Sequence, residues 1–198
     1  FFMYLLKNRK TTATRNNAFG TSAMQTNTIG AYNCAFGYAA LFANTEASYG
    51  AAFGHLALSA NTTGAENTAV GAFALDAITT GGASVAIGYE ALTAHTAAQP
   101  SVAVGRGTLK SNTTGQYNVA VGDRALMDNN GNYNVAIGAF AAYDNTTGGQ
   151  NTAIGNQALE LNTTGSQNVA IGAFALDANT TAAKNTAVGV SALTDNTT

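Results

Sequence analysis

The sequence predicts an all-β protein wound as a parallel β-roll or β-solenoid of about eleven 17-residue coils. Three observations predict it. The tripeptide Ala-[Val/Ile/Phe]-Gly closes at Gly20, Gly37, Gly54, Gly71, Gly88, Gly105, Gly122, Gly138, Gly155, Gly172 and Gly189, spaced 17 residues nine times and 16 once. Stretches such as Val119-Ala120-Val121 and Val135-Ala136-Ile137 alternate β-branched with small residues, the period of a short strand. Between them recurs Asn-Thr-Thr-Gly, whose Asn bonds its own backbone and whose Gly admits positive φ, the chemistry of a turn. A 17-residue unit is too short for two helices and a turn. It fits two short strands and two turns, with neighbouring coils paired at about 4.8 Å. The coils would stack into a rod on the order of 50 Å long.

In chain order, residues 1–15 form an apolar and basic arm or cap, and residues 16–198 form the repeat array. The arm begins Phe1-Phe2-Met3-Tyr4-Leu5-Leu6 and continues through Lys7, Arg9, Lys10 and Arg15. Its charges follow the apolar run, the reverse of a signal peptide, and the run is far short of a membrane span. It is expected to cover the open edge of the first coil. Alternatively, Phe1, Phe2, Tyr4, Leu5 and Leu6 dock end to end into a neighbouring copy. The one short coil has lost a residue within Asn129-Asn130-Gly131, which marks that stretch as a loop, since loops accept length changes and ladders do not. The array reaches Asn196-Thr197-Thr198 in the middle of a turn. An unpaired edge there points to a longer chain or to rods stacking end to end.

Side chains fall into columns. The residue before each Gly runs from Phe19, Phe36 and Phe53 to Val and Ile, and the fourth residue after it is almost always Leu. These two columns are the expected core. Two residues before the Gly, Ala is invariant, including Ala69, Ala86, Ala103, Ala120, Ala136, Ala153, Ala170 and Ala187. Strand alternation sets it opposite the Val/Ile column. A methyl-only stripe is expected where another chain comes close at every coil; the other reading is that it lines a narrow interior. Phe73, Phe140 and Phe174, each two residues after a Gly, are candidates for the same interchain packing. A receptor or glycan is the alternative for these aromatics.

Composition excludes several classes. Charged residues make up only 9% of the chain, against a usual quarter, and the net charge is −2, so no basic field points to nucleic acid. Apolar residues reach 46%, which argues against disorder. No run approaches a membrane span. A single Cys excludes an internal disulfide framework.

Chemistry is sparse. His55 and His95 sit at different phases and read as exposed turn residues, and Cys34 reads as a small hydrophobe facing the core. No catalytic set, cofactor loop or metal-ligand spacing stands out. Arg106 and Asp123 share a phase in adjacent coils and should pair at the surface. Asp128 and Asp144 share another, as two solvated carboxylates or, in a trimer, an acidic ring for a cation. Asn-Thr-Thr at Asn61, Asn112, Asn145, Asn162, Asn179 and Asn196 is formally a glycosylation sequon that turn geometry alone explains.

The arrays Asn118-Val119-Ala120-Val121-Gly122 and Asn168-Val169-Ala170-Ile171-Gly172 resemble the head repeat of YadA-like trimeric autotransporter adhesins, and similar arrays of phage and viral tail fibres. The resemblance spans roughly residues 16–198. It implies a left-handed parallel β-roll, three chains about a common axis, and a role in attachment at a cell or virion surface. The first three coils differ in carrying Phe where that repeat has Val or Ile. The expected function is therefore a non-enzymatic, homotrimeric extracellular fibre or adhesion module, without cofactor. Its alternatives are a self-assembling filament subunit and an ice-binding solenoid. The latter needs a flat Thr-x-Thr face, whereas these Thr residues gather at the turn.

Overall fold

A computed structural model describes residues 12–96 and 100–197. The apolar stretch Phe1, Phe2, Tyr4, Leu5 and Leu6 lies outside the described residues. The chain is all-β, and each coil contributes one three-residue strand. These are β1 (Asn17–Phe19), β2 (Cys34–Phe36), β3 (Ala51–Phe53), β4 (Thr68–Val70), β5 (Val85–Ile87), β6 (Val102–Val104), β7 (Val119–Val121), β8 (Val135–Ile137), β9 (Thr152–Ile154), β10 (Val169–Ile171) and β11 (Thr186–Val188). They form one parallel sheet of eleven strands in sequence order. Like pairs with like, as in Ala103↔Ala120 and Val104↔Val121. This is a parallel β-solenoid.

The second strand expected in each coil does not form. In most coils three non-glycine residues adopt left-handed backbone, for example Arg124 (φ 55°), Leu126 (φ 51°) and Tyr133 (φ 60°), and an extended run cannot pass through them. Each such residue costs roughly 1–2 kcal/mol. Bonds between coils offset this: the Arg124 amide donates to the Arg106 carbonyl (2.9 Å), Leu126 to Ala141 (3.0 Å) and Tyr133 to Gln116 (3.0 Å). The backbone outside the strands is thus also bonded coil to coil.

Glycine serves two different needs. In the strand-closing position Gly122 has φ 132°, and a Cβ there would stand 2.5 Å from the Gly138 carbonyl oxygen of the next coil. The turn glycines, contrary to expectation, do not take positive φ. At Gly165 a Cβ would stand 2.3 Å from the Ala182 carbonyl oxygen of the next coil and 2.4 Å from Asn162 Oδ1, so the local packing there favours Gly, while Ala47 and Ala182 fill the same turn position in their own coils.

The interior is narrow and holds Ala, Ala, Leu and two Asn per coil. The Leu column is fully buried, as expected. The Ala column is also buried: Ala69, Ala86, Ala103, Ala120, Ala136, Ala153, Ala170 and Ala187 are at most 3% exposed and point into the coil of their own chain, which leaves them no surface to offer another. This overturns the interchain role expected of them. The physical reason is parity. Asn118 and Ala120 lie on the same side of the strand, and the Asn118 amide must reach the Gly131 carbonyl (2.9 Å) inside the coil. Ala therefore goes inward, and the Val/Ile/Phe column, expected in the core, goes outward.

The two Asn columns form ladders along the axis. In the first, the Asn162 amide donates to Asn145 Oδ1 (2.7 Å) and to the Gly165 carbonyl (3.0 Å), and Asn179 repeats the contact on Asn162 (2.9 Å). In the second, the backbone N–H groups of Asn151 and Asn168 donate to Asn134 Oδ1 and Asn151 Oδ1, each at 2.9 Å. Where Ser84 and Ser101 replace Asn, the hydroxyl takes over as acceptor, at 3.3 Å from Ser101 N and 3.2 Å from Asn118 N. Outside the ladder, Thr hydroxyls join coils by donating to the next Thr carbonyl, as Thr163 does to Thr180 (3.0 Å).

The short coil keeps the register, with Val119 paired to Val135. Elsewhere a Thr carbonyl such as that of Thr163 receives the amides of Thr146 and Thr147. In the short coil the side chain of Asn130 stands in: its Oδ1 accepts from Thr113 N (2.9 Å) and Thr114 N (3.3 Å).

Candidate interaction surface

The first and third residues of every strand face outward. The third column runs Phe19, Phe36, Phe53, Val70, Ile87, Val104, Val121, Ile137, Ile154, Ile171 and Val188. Phe36 is 51% exposed, Ile87 40% and Ile137 41%. The first column is mostly Val and Thr, with Asn17, Cys34 and Ala51 at the start, and neither column contains a charged side chain. Cys34, expected to face the core, is half-buried on this outward face. The result is an uncharged, mostly apolar stripe along the whole sheet, with Asn17, Thr68, Thr152 and Thr186 as its polar members, on the order of 50 Å long at the strand spacing. A single chain leaves it open to solvent.

Aromatic rings line both margins of this stripe. On one side Tyr32 stacks on Tyr49 (centroids 5.0 Å apart) and Tyr117 on Tyr133 (5.3 Å). On the other, a continuous run passes from Tyr38 to His55 (5.2 Å), Phe73 (5.2 Å) and Tyr89 (6.1 Å). Phe73 thus belongs to this aromatic run, whereas Phe140 packs on Tyr143 (5.7 Å) with the Arg124 guanidinium over its ring (5.7 Å). Phe174 is 38% exposed. The coil spacing holds these three Phe residues apart rather than bringing them into one site.

Charged groups stand in the same margin, where Arg106 and Asp123 continue the column of Tyr38, His55 and Tyr89, one residue after the strand-closing Gly. Arg106 Nε donates to Asp123 Oδ1 (2.8 Å), the pair expected from their shared phase, and the guanidinium holds the Asp123 carboxyl below its usual range. Lys110 Nζ meets Glu90 Oε2 (2.6 Å) and lowers the Glu90 carboxyl in the same way. Burial, with the neighbouring Asp128 carboxylate, raises the pKa of Asp144. Asp128 also accepts from the Ser111 hydroxyl (2.8 Å). Among the described residues, no group of three or more His, Cys, Asp and Glu side chains is arranged to hold a metal ion.

Two further expectations change. His55 is exposed, but His95 is fully buried and stands in the column otherwise held by ladder Asn residues, as does Ile78 in the coil before it. The sequon residues Asn61, Asn112, Asn145, Asn162 and Asn179 are fully buried, with their amide nitrogens bonded inside the coil. A glycan on any of them and a closed coil exclude each other. The ladder role was missed because Asn next to Thr-Thr-Gly reads equally well as a turn residue. The strand Asn at the same parity as Ala was the available signal.

No protein-family model matches this chain, and neither does any curated protein or solved structure.

Proposed function

We propose that the chain is a non-enzymatic structural rod that associates with copies of itself through the outward strand face, as a homotrimer in an extracellular attachment fibre. The observation that carries this reading is the uncharged, mostly apolar outward face of the eleven-stranded sheet. Charge-free apolar stripes of that length mark interaction sites on soluble proteins. A stripe about 50 Å long and three residues, about 10 Å, wide presents roughly 500 Å², and the flanking aromatics extend it towards the roughly 800 Å² that each partner gives a standard interface. Closed symmetry about a common axis lets every copy bury the same face. The YadA-like repeat pattern supports three copies, a left-handed coil and a role in adhesion. The receptor remains a matter for the variable margins, where Tyr38, Phe73 and Tyr89 stand.

Sedimentation equilibrium tests the reading. The wild type sediments as a trimer, and Ile137→Lys, which places a charge on the outward face, sediments as a monomer with an unchanged β signature in circular dichroism. Ile137 is outward, so the coil itself does not need its side chain. A wild type that stays monomeric across concentrations overturns the proposal, and so does an Ile137→Lys protein that still assembles. Electron micrographs showing unlimited filaments in place of discrete rods favour the filament alternative.

A further inference from the structure

The turn of the short coil joins two residues that no other coil combines. Asn130 is followed by Gly131, the one Asn-Gly pair in the sequence. Every other Asn precedes a residue with a side chain, and the other turn glycines follow Thr, or Ile29 in one coil. Each half of the pair meets a separate demand of the fold. Asn130 Oδ1 accepts from Thr113 N (2.9 Å), Thr113 Oγ1 (2.9 Å) and Thr114 N (3.3 Å), in place of the missing Thr carbonyl. At Gly131 a Cβ would collide with the Gly148 carbonyl of the next coil, so no larger residue fits.

Together the two are chemically labile, Asn being among the thermolabile residues. Once its proton is lost to hydroxide, the Gly131 nitrogen can attack Asn130 Cγ. The Cγ–Nδ2 bond then breaks, ammonia leaves with a proton from water, and a five-membered succinimide remains. Water opens the ring. Cleavage between the nitrogen and Cγ gives aspartate; cleavage between the nitrogen and the backbone carbonyl carbon gives isoaspartate. The sum is one water consumed and one ammonia released, with no oxidant or reductant. A side chain on the attacking residue would hinder ring closure, and the packing around Gly131 excludes one.

The closed coil keeps the reacting groups occupied elsewhere. The Gly131 N–H donates to Asn129 Oδ1 (3.1 Å) inside the coil, while the Asn130 carboxamide oxygen is held by the preceding coil. The Gly131 carbonyl accepts from the Asn118 and Asn129 side-chain amides, each at 2.9 Å. The Asn130 N–H donates to the Thr146 carbonyl of the following coil (2.7 Å). Ring closure therefore requires the turn to open locally, with several of these bonds broken at once.

We propose that Asn130 is a covalent modification site gated by its own turn, protected while the coil is closed and converted through the succinimide when the turn opens. A chain that has opened keeps a permanent record, a new carboxylate in place of the amide. The site stands independently of self-association.

The full chain is incubated at one mildly alkaline pH, folded and in denaturant, and peptide mapping by mass follows the exchange of amide for acid at each Asn. In denaturant Asn130 converts at least about tenfold faster than any other Asn, and the folded chain converts at least about tenfold more slowly than the denatured one, because the turn opens rarely. Asn129→Ala removes the acceptor of the Gly131 N–H and a donor to its carbonyl, so conversion in the folded protein rises at least about threefold while the rate in denaturant is unchanged. Should Asn129→Ala not fold, Thr113→Ala takes its place with the same expectation, since it removes only an exposed hydroxyl that holds Asn130 Oδ1. An Asn130 that stays intact in denaturant overturns the site. Equal rates in folded and denatured chains overturn the gate, as does a folded variant that converts no faster than the wild type.

Discussion

At the scale of single residues, two neighbouring glycines make opposite predictions. Gly105 has φ 135°, and a Cβ there would run into the Gly122 carbonyl of the next coil. Gly105→Ala is expected to cost more than about 3 kcal/mol in denaturant unfolding, from left-handed strain and steric conflict together. Gly107 has φ 65°, but its nearest obstacle is the flexible Arg124 Cγ at 3.4 Å, and Arg124 itself occupies the equivalent place with φ 55°. Gly107→Ala should therefore change stability by less than about 1 kcal/mol. Asn130 supplies a third test. Its Oδ1 serves two backbone amides that have no Thr carbonyl to meet in the short coil. Asn130→Ala is expected to lose about 1–2 kcal/mol, measured as a shift of the unfolding midpoint without a change of slope. The loop character of this segment was legible from its missing residue. That one side chain replaces the missing carbonyl was not, because any polar residue in a turn looks alike from composition.

At the scale of the element, the coil is held by interior amides as much as by apolar contact. Asn162 touches both the ladder member below it and the Gly165 carbonyl, and accepts from Asn179 above. Asn162→Ala should destabilise the protein by about 2–4 kcal/mol, since it orphans several buried polar groups at once. Asn196→Ala is expected to cost under about 1 kcal/mol, because Asn196 is half-buried and its amide bonds Asn179 alone in the ladder (3.1 Å). Paired melting curves of the two variants check the contrast. The period, the parallel stacking, the strand at each Ala-[Val/Ile/Phe]-Gly and the Leu core were all readable from the sequence. Which face of the strand turns inward was not. Alternation separates Ala120 from Val121 but assigns neither a side, and the ordinary preference for burying the larger apolar residue points the wrong way here. A 17-residue coil encloses too little space for β-branched side chains beside two Asn amides, so the methyl takes the interior. The second strand failed for a different reason: the left-handed turn at Leu126 carries no signature, Leu being among the residues least expected there.

At the scale of the whole molecule, electrostatics is weak and local, which makes one acidic site readable. The pKa of Asp144 is raised by burial and by Asp128, so the folded chain holds that proton more tightly than the unfolded chain does. The contribution of this group is therefore most favourable at low pH and is lost as pH rises through the ordinary carboxylate range towards the raised folded value. Asp144→Asn should stabilise the protein at neutral pH by a few tenths of a kcal/mol, given the screening at a partly exposed site. The gain should vanish in acid, a trend that melting temperatures between pH 3 and 8, spanning roughly the carboxylate transition, would trace. A protein whose every coil meets only the coil before and after it has no long-range geometry to protect. The amide of Asn130 carries this further, because it lets a unit one codon short pass without a break in the column. Copying errors that add or delete whole repeats, or trim one at its turn, leave a continuous molecule each time. The length of the column thereby becomes a trait that heredity can adjust in steps of one coil.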